Sequence, residues 1–202
     1  MPDASPAPRR PVLSVCIYCG SSDAVDQRYK DEAFALGKIL GSNGLRLVYG
    51  GGGVGLMGES ARGAHEAGGK VLGIMPQFLM SRERLYDDVE TVVVQSMHER
   101  KMMMFEESDA FVVLPGGVGT LEEVIELLSW RRLDLHKKPI IFLNSGGFWE
   151  PFFKLVEATI DTNFTPKSFL NTYKSVDTVE EILGAINDLS THDEDIDTRK
   201  VL

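Results

Sequence analysis

A glycine-rich turn followed by a carboxylate one helical turn later carries the strongest chemical signal in this sequence. Residues Pro115 to Glu123 read PGGVGTLEE and directly follow the apolar run Phe111 to Leu114. A buried strand would lead into a turn whose glycines let the backbone approach an anion, and a helix beginning at about Thr120 would direct its unpaired amides toward it. Glu123 lies one helical turn further on, on the same face. The spacing predicts a phosphate seat with a carboxylate within reach of the attached sugar.

The same segment also fits a purely structural pattern. Thr120 to Glu123 has the S/T-x-x-E spacing of a capping box, and these four residues taken alone favour that interpretation. A second glycine-rich turn, Gly50 to Gly58, follows the strand-like stretch Leu45 to Tyr49 and precedes another helical pattern. Packing rarely needs two such loops, and loops at strand ends are expected to face one shared crevice.

A third cluster, Met97 to Lys101, begins a helix in which Arg100 lies one turn from both Met97 and Met104. One interpretation is a solvated Arg100–Lys101 pair beside a methionine-rich core stripe. The functional alternative is that Arg100 pairs bidentately with a phosphate or a carboxylate.

The wider pattern alternates strands with helices. Strands are predicted at about 12–18, 45–49, 70–75, 90–94, 109–114 and 139–143, and helices at about 27–41, 55–68, 97–108, 120–134, 148–161 and 178–190. Several strands are continuous apolar runs, as expected when both faces of a parallel sheet are covered. The predicted fold is α/β, a Rossmann-like, doubly wound and mainly parallel sheet with helices on both faces. It forms one domain over 12–190, between a disordered tail at 1–11 and an acidic mobile tail at 191–202.

Composition limits the partners of this chain. The 202 residues carry a formal charge of -9. This excess of acidic over basic residues disfavours binding to nucleic acid or to an anionic membrane surface. The sequence shows neither an apolar run of transmembrane length nor a signal peptide, which predicts a cytoplasmic protein.

Metal and redox chemistry are not predicted. Cys16 and Cys19 have C-x-x-C spacing, but residues three apart on a strand point to opposite faces, which favours two structural cysteines. The four histidines lack a metal-ligand spacing, so no metal site is expected.

A dinucleotide enzyme is the obvious competing hypothesis, because Gly53 to Gly58 satisfies G-x-G-x-x-G. That fingerprint also needs an acidic residue about 20 positions later to hold the adenosine ribose. The corresponding stretch, Val71 to Gln77, has none, and the next acid, Glu83, falls past Pro76. A nicotinamide cofactor is therefore not expected.

Taken together, the segments 15–22, 50–58, 97–101 and 115–123 closely resemble the LOG family, the cytokinin riboside 5'-monophosphate phosphoribohydrolases, long labelled lysine decarboxylases by mistake. The resemblance spans about residues 12 to 190. The family motif PGGxGTxxE is matched in full at Pro115 to Glu123, and the GGGxGLMG form is complete at Gly51 to Gly58.

The resemblance implies hydrolysis of the N-glycosidic bond of a nucleoside 5'-monophosphate, AMP-like or N6-substituted, to free base and ribose 5-phosphate. It further implies a homodimer that needs no cofactor, with Arg100 and Glu123 as the catalytic pair. The substrate- and phosphate-binding residues implied by the matched motifs are Gly51, Gly52, Gly53, Met97, Lys101, Gly116, Gly117, Val118, Gly119 and Thr120. Arg100 cannot act as an ordinary proton donor at neutral pH, so its expected role is electrostatic and positional.

Two alternatives stay open at this point. The same fold and glycine loops would suit a non-catalytic carrier or sensor of a nucleotide or a molybdopterin-type ligand, which has no need of Glu123. The apolar stretches Met102 to Phe105 and Leu127 to Trp130 are compatible either with a dimer interface or with ordinary core burial.

Overall fold

A computed structural model of the chain describes residues 11–81 and 85–191. The strands are β1 (Ser14–Tyr18), β2 (Arg46–Tyr49), β3 (Val71–Pro76), β4 (Glu90–Val94), β5 (Ala110–Val113), β6 (Ile140–Leu143) and β7 (Lys174–Val176). The α-helices are α1 (Gln27–Ser42), α2 (Gly55–Glu66), α3 (Met97–Glu106), α4 (Val118–Arg132), α5 (Glu150–Asp161) and α6 (Ile182–Thr191). Short 3-10 helices lie at Gln77–Leu79, Ser145–Gly147, Lys167–Thr172 and Val179–Glu181.

The described strands form one parallel sheet in the order β4-β3-β2-β1-β5-β6-β7. The chain winds outward from β1 to β4 on one side and then returns to place β5 on the other side of β1. The winding therefore reverses between β1 and β5, whose carboxyl ends are aligned by the pairing of Tyr18 with Val113. Open α/β sheets bind ligands at such a reversal.

Buried apolar side chains form two clusters, one on each face of the sheet. The first joins β-strand residues such as Ile17 and Val112 to helices α1, α2 and α6. The second joins the opposite faces of the same strands to α3, α4 and α5. Both faces are covered, which explains why the central strands are continuous apolar runs.

The predicted α/β doubly wound fold is confirmed, and each of the six predicted strands and six predicted helices is present. The prediction missed β7, a three-residue edge strand in which two of the residues, Lys174 and Ser175, are polar. The predicted tails at 1–11 and 191–202 lie outside the described residues, apart from Pro11 and the end of α6 at Thr191. Within residues 11–81 and 85–191, no helix has the length and apolar character needed to cross a bilayer.

The two apolar stretches considered for a dimer interface are largely covered within the chain. Met104, Leu127 and Leu128 are buried in the cluster on the α3, α4 and α5 face. Phe105 packs edge-on against Trp130, with ring centroids 5.2 Å apart. Core burial therefore accounts for most of these side chains.

Candidate active site

A cavity of about 540 Å³ opens at the carboxyl ends of β1 and β5, at the point where the winding reverses. The two chain segments leave the sheet edge side by side, because the Gly20 amide donates a hydrogen bond to the Pro115 carbonyl at 3.0 Å. The cavity is lined by the residues that follow β1, by the first turns of α2, α3 and α4, and by the turn after β6.

The amino terminus of α4 forms one wall. The helix begins at Val118, with Gly117 as its N-cap in an extended conformation and with no capping side chain. The amides of Val118, Gly119 and Thr120 occupy the first helical positions, where an amide has no intrahelical acceptor. Together with the helix dipole, they favour an anion at this point.

The capping-box interpretation of Thr120 to Glu123 is therefore wrong. Thr120 occupies the third helical position instead of the N-cap, because the helix starts two residues earlier than predicted. Thr120 is buried, and its side chain packs over Gly116, where an added Cβ would lie 2.2 Å from the Thr120 Oγ1. The start of α4 therefore leaves its first three amides without an intrahelical acceptor.

Glu123 lies one turn further along α4 and lines the same cavity, with only 8% of its surface exposed. Burial raises the pKa of the neighbouring Cys19 thiol, and the negative charge of Glu123 raises that pKa further. The positive charge of Arg100 lowers it. The charges of Glu123 and Arg100 therefore shift the pKa of this cavity-lining thiol in opposite directions.

Arg100 is 4% exposed, so its interpretation as a solvated side chain is wrong. Its Nε donates to the Ile74 carbonyl at 3.1 Å, and its Nη2 donates to the Gly50 carbonyl at 2.9 Å. Both partners are neutral, and within residues 11–81 and 85–191 no carboxylate forms an ion pair with Arg100. A buried guanidinium held by neutral carbonyls at a cavity wall favours an anionic ligand.

Lys101, the next residue, points to α4. Its ammonium group lies 2.5 Å from a Glu122 carboxylate oxygen and 2.9 Å from a Glu126 oxygen. These ion pairs join α3, which carries Arg100, to α4, which carries Glu123. Met97 lines the cavity, with its sulfur 4.0 Å from the Arg100 Nη1.

The second glycine-rich turn has a different role in the structure. Among the described residues that line the cavity, Gly51, Gly52 and Gly53 are absent, while Leu56 and Met57 of α2 are present. Gly52 forms an antiparallel bridge with Leu85, and the Gly53 carbonyl accepts a hydrogen bond from Arg62 at 3.2 Å. Backbone groups of Gly52 and Gly53 therefore make contacts within the chain.

Gly55 shows why this turn needs glycine. Its φ is +60°, and an added Cβ would lie 2.6 Å from the Ser22 carbonyl oxygen. The turn therefore packs against the segment after β1, and its G-x-G-x-x-G spacing reflects close backbone contacts. β3 ends without an acidic residue at its tip, as the sequence indicated.

Sequence reasoning missed the segment after β1 and an aromatic pair. Cys19, Gly20, Ser21 and Ser22 line the cavity, and a strand at the reversal point was the signal that could have identified them. Tyr29 and Phe148 also line it, with ring centroids 5.8 Å apart in an edge-on arrangement. Nothing in their sequence spacing indicates this contact.

The two cysteines are free and buried, and they belong to the two opposite core clusters, as predicted. Within the described residues, no group of three or more histidine, cysteine, aspartate or glutamate side chains is arranged to hold a metal ion.

Comparison with known proteins identifies the family. A family model described as "possible lysine decarboxylase" matches residues 57–186. Cytokinin riboside 5'-monophosphate phosphoribohydrolase LOG of Oryza sativa subsp. japonica is 41% identical over 170 residues, covering 84% of this chain and 70% of the relative. A probable enzyme of the same name from the same species is 44% identical over 162 residues, 80% of this chain and 71% of the relative. An Arabidopsis thaliana enzyme of this name is 37% identical over 186 residues, 92% of this chain and 86% of the relative.

Solved structures agree with the fold. The molybdenum cofactor carrier protein of Chlamydomonas reinhardtii matches with a TM-score of 0.68 and 24% identity, over 91% of this chain and all of that one. A molybdenum cofactor binding protein of Rippkaea orientalis matches with a TM-score of 0.65 and 23% identity, over 90% of this chain and 98% of that one. At this level of identity the likeness concerns the fold alone, whereas the sequence matches decide the family. The chain belongs to the LOG family, together with the cytokinin riboside 5'-monophosphate phosphoribohydrolases that it matches.

Proposed function

We propose that this protein hydrolyses the N-glycosidic bond of a nucleoside 5'-monophosphate and releases free base and ribose 5-phosphate. The observation that carries the proposal is the placement of an anion seat and a buried carboxylate, Glu123, on one helix facing one cavity. Relatives up to 44% identical bear the name of this activity. The proposed substrates are AMP-like or N6-substituted adenine nucleotides of the kind from which cytokinins are made.

The amides of Val118, Gly119 and Thr120 would bind the 5'-phosphate. Gly117 and Gly119 support this role, because a Cβ added to either would meet no atom within 4 Å and neither has a left-handed φ. Neither the backbone conformation nor packing within the described chain requires glycine at these two positions. Close approach of a ligand to the backbone does require it.

Glu123 would act at the sugar. Cleavage breaks the bond between C1' and the base nitrogen, which leaves positive charge on the ribose ring, and the oxygen of water then bonds to C1'. A carboxylate beside C1' stabilises that cation and accepts the proton that the attacking water loses. The leaving base gains a proton, and we assign no side chain to its delivery.

Arg100 would contribute charge and position. Because its Nε and Nη2 are held by backbone carbonyls, the orientation of the guanidinium is fixed before substrate arrives. Its positive charge would hold the substrate and orient Glu123 toward the ribose. We also propose that Met97 and Lys101 of α3, and Gly51, Gly52 and Gly53 of the second glycine-rich turn, contribute to substrate binding.

The phosphate would supply binding energy at a distance from the reacting bond. Nucleosides without the phosphate are therefore expected to react poorly. The direct test is a base-release assay with AMP, GMP, CMP, UMP and isopentenyl-AMP, with free base and ribose 5-phosphate separated by chromatography. Equal amounts of adenine and ribose 5-phosphate from AMP would support the proposal, whereas tight binding of AMP without release of base would favour a carrier.

We further propose a cytoplasmic homodimer. Val118 and Ile125 lie seven residues apart on α4 and are 83% and 49% exposed, which leaves an apolar stripe beside the cavity mouth for a second copy to cover. Two free, buried cysteines suit a reducing compartment. Light scattering at micromolar concentration would give twice the chain mass of 22.3 kDa, and a mass equal to the single chain would contradict the dimer.

A further inference from the structure

The cavity wall contains four hydroxyl side chains, and they differ in how far the chain already uses them. They belong to Ser21, Ser22, Tyr29 and Thr120. The Ser22 Oγ accepts a hydrogen bond from the Ala24 amide at 3.3 Å, and the Tyr29 hydroxyl accepts one from the Arg28 Nη2 at 2.6 Å. The chain therefore already uses the acceptor oxygens of two of the four, which orients these hydroxyls while their O–H groups can still donate.

Thr120 and Ser21 remain. Thr120 is buried at the base of α4, with its side chain packed over Gly116. Ser21 is exposed to the cavity, and its hydroxyl forms no hydrogen bond with any residue in 11–81 or 85–191. A small polar side chain that opens into a ligand cavity is available to bind a ligand without first losing an internal bond.

The backbone of Ser21 is held on both sides. On one side, the Gly20 amide bonds to the Pro115 carbonyl at 3.0 Å, and a Cβ at Gly20 would lie 3.4 Å from the Gly116 Cα. On the other side, Gly55 packs so closely that an added Cβ would lie 2.8 Å from the Ser21 carbonyl oxygen. Ser21 therefore stands beside the first residues of the anion seat, on a backbone fixed by both glycine-rich turns.

The charges of the cavity favour such a donor. The lining residues include one cation, Arg100, and two carboxylates, Glu122 and Glu123. An anion at the α4 terminus must therefore be bound mainly by amides and hydroxyl groups. A hydroxyl that donates to a phosphate oxygen forms a charge-assisted hydrogen bond, which is the stronger kind.

We propose that the Ser21 hydroxyl donates a hydrogen bond to the 5'-phosphate and completes the seat opposite the amides of α4. The proposal rests on the proposed function, because it identifies a further binding residue of the same site. It concerns the phosphate specifically, so a ligand that carries the phosphate without a base should depend on Ser21. A ligand that carries base and sugar without the phosphate should not.

The test is titration calorimetry with ribose 5-phosphate and with adenosine, on the full-length protein and its Ser21→Ala variant. We expect the Kd for ribose 5-phosphate to rise about tenfold, the usual effect of losing one hydrogen bond to a charged group. The Kd for adenosine should stay within about twofold, because an unrelated contact is left unchanged. The conservative variant Ser21→Thr keeps the hydroxyl and should restore most of the affinity for ribose 5-phosphate.

Ser175→Ala is the control. Ser175 is an exposed serine of β7 that does not line the cavity, so its replacement should leave the Kd for ribose 5-phosphate and the Kd for adenosine within about twofold. Three outcomes would overturn the proposal. Ser21→Ala could change the Kd for both ligands equally, or it could change neither Kd. The parent protein could also fail to bind ribose 5-phosphate. Release of adenine from AMP by the parent is scored separately, so that the proposed hydrolysis and the role of Ser21 can fail independently.

Discussion

Arg100 and Gly50 fit together in a way that excludes any side chain at position 50. A Cβ on Gly50 would lie 1.9 Å from the Arg100 Nη2, the same atom that donates to the Gly50 carbonyl. β2 is therefore followed by a glycine, so that a guanidinium from α3 can lie against the glycine carbonyl. Among the described residues, Arg100 is the only cation that lines the cavity, and its position depends on the absence of a side chain at the residue after β2.

Gly50→Ala is accordingly expected to damage catalysis through Arg100. The added methyl group would overlap the position of the Arg100 Nη2, so the end of the guanidinium must move away from the Gly50 carbonyl. We predict that kcat/KM for AMP falls about tenfold or more, because a misplaced group loses its transition-state contact. Steady-state kinetics of base release from AMP would measure kcat/KM for the parent and for the variant.

A glycine whose replacement meets no atom provides the control for Gly50→Ala. Gly184 is exposed in α6, and an added Cβ there would have open space. Gly184→Ala should leave kcat/KM unchanged and stabilise the protein by about 0.5–1 kcal/mol through helix propensity. Full activity in a folded Gly50→Ala protein would show that Arg100 need not occupy its observed position.

Glu123→Gln separates an enzyme from a carrier. Glutamine has nearly the same shape as glutamate but carries no charge and cannot accept the proton of the attacking water. We predict a loss in kcat of about 100-fold or more, the usual size of a general-base contribution. Adenine release from AMP and from isopentenyl-AMP is the measurement.

Glu122→Gln is the control for the carboxylate. Glu122 is the neighbouring acid, but it is about half exposed and paired with Lys101 at 2.5 Å. Its replacement removes a partly exposed ion pair, and Glu126 still pairs with Lys101, so kcat should fall less than about tenfold. If folded Glu123→Gln protein releases adenine at the parent rate, the assigned mechanism fails and a carrier is favoured.

The fold was predictable because both of its signals are local. Apolar runs such as Phe111 to Leu114 mark strands that are covered on both faces, and several helices, such as α5, have an amphipathic pattern. The uncapped start of α4 and the position of Glu123 on the same helix were predictable for the same reason, since they lie within nine consecutive residues. β7 was not predictable, because a short polar edge strand has neither signal.

The remaining parts of the site depend on contacts between distant segments. The second glycine-rich turn matches a ligand-binding pattern, but its Gly52 pairs with Leu85, which lies 33 residues later in the chain. Ser21 belongs to the site because β5 lies beside β1, although about 90 residues separate the two segments. No local pattern contains either relationship.

His136 makes the stability of the protein depend on pH. Its Nε2 contacts the Leu127 carbonyl at 3.1 Å, and its Nδ1 accepts a hydrogen bond from the Lys138 amide at 3.2 Å. Burial, together with the positive charges of Arg131 and Lys138, lowers the pKa of His136 to about 4. The unfolded chain takes up this proton near pH 6.5. Between these two values the unfolded state binds more protons, so stability falls as the pH falls.

The expected effect of His136 is a loss of up to about 3 kcal/mol in the free energy of unfolding between pH 7 and pH 4. Urea denaturation at several pH values would measure it. His136→Gln, which cannot titrate, is the matched variant and should lose less stability over the same range. Parallel curves for the parent and the variant would show that other groups cause the acid sensitivity.

Gly119→Ala tests whether the glycines of the seat serve the ligand or the fold. The structure has room for the methyl group and no left-handed φ at this position, so the unliganded protein should keep its stability or gain up to about 1 kcal/mol. The same methyl group would stand where a phosphate must approach the amides, so the KM for AMP should rise about tenfold or more. Thermal unfolding and base release on one preparation provide both measurements. A variant that unfolds more easily and binds AMP normally would assign Gly119 to the fold. A glycine that serves the phosphate seat predicts the reverse, with unchanged or higher stability and weaker binding of AMP.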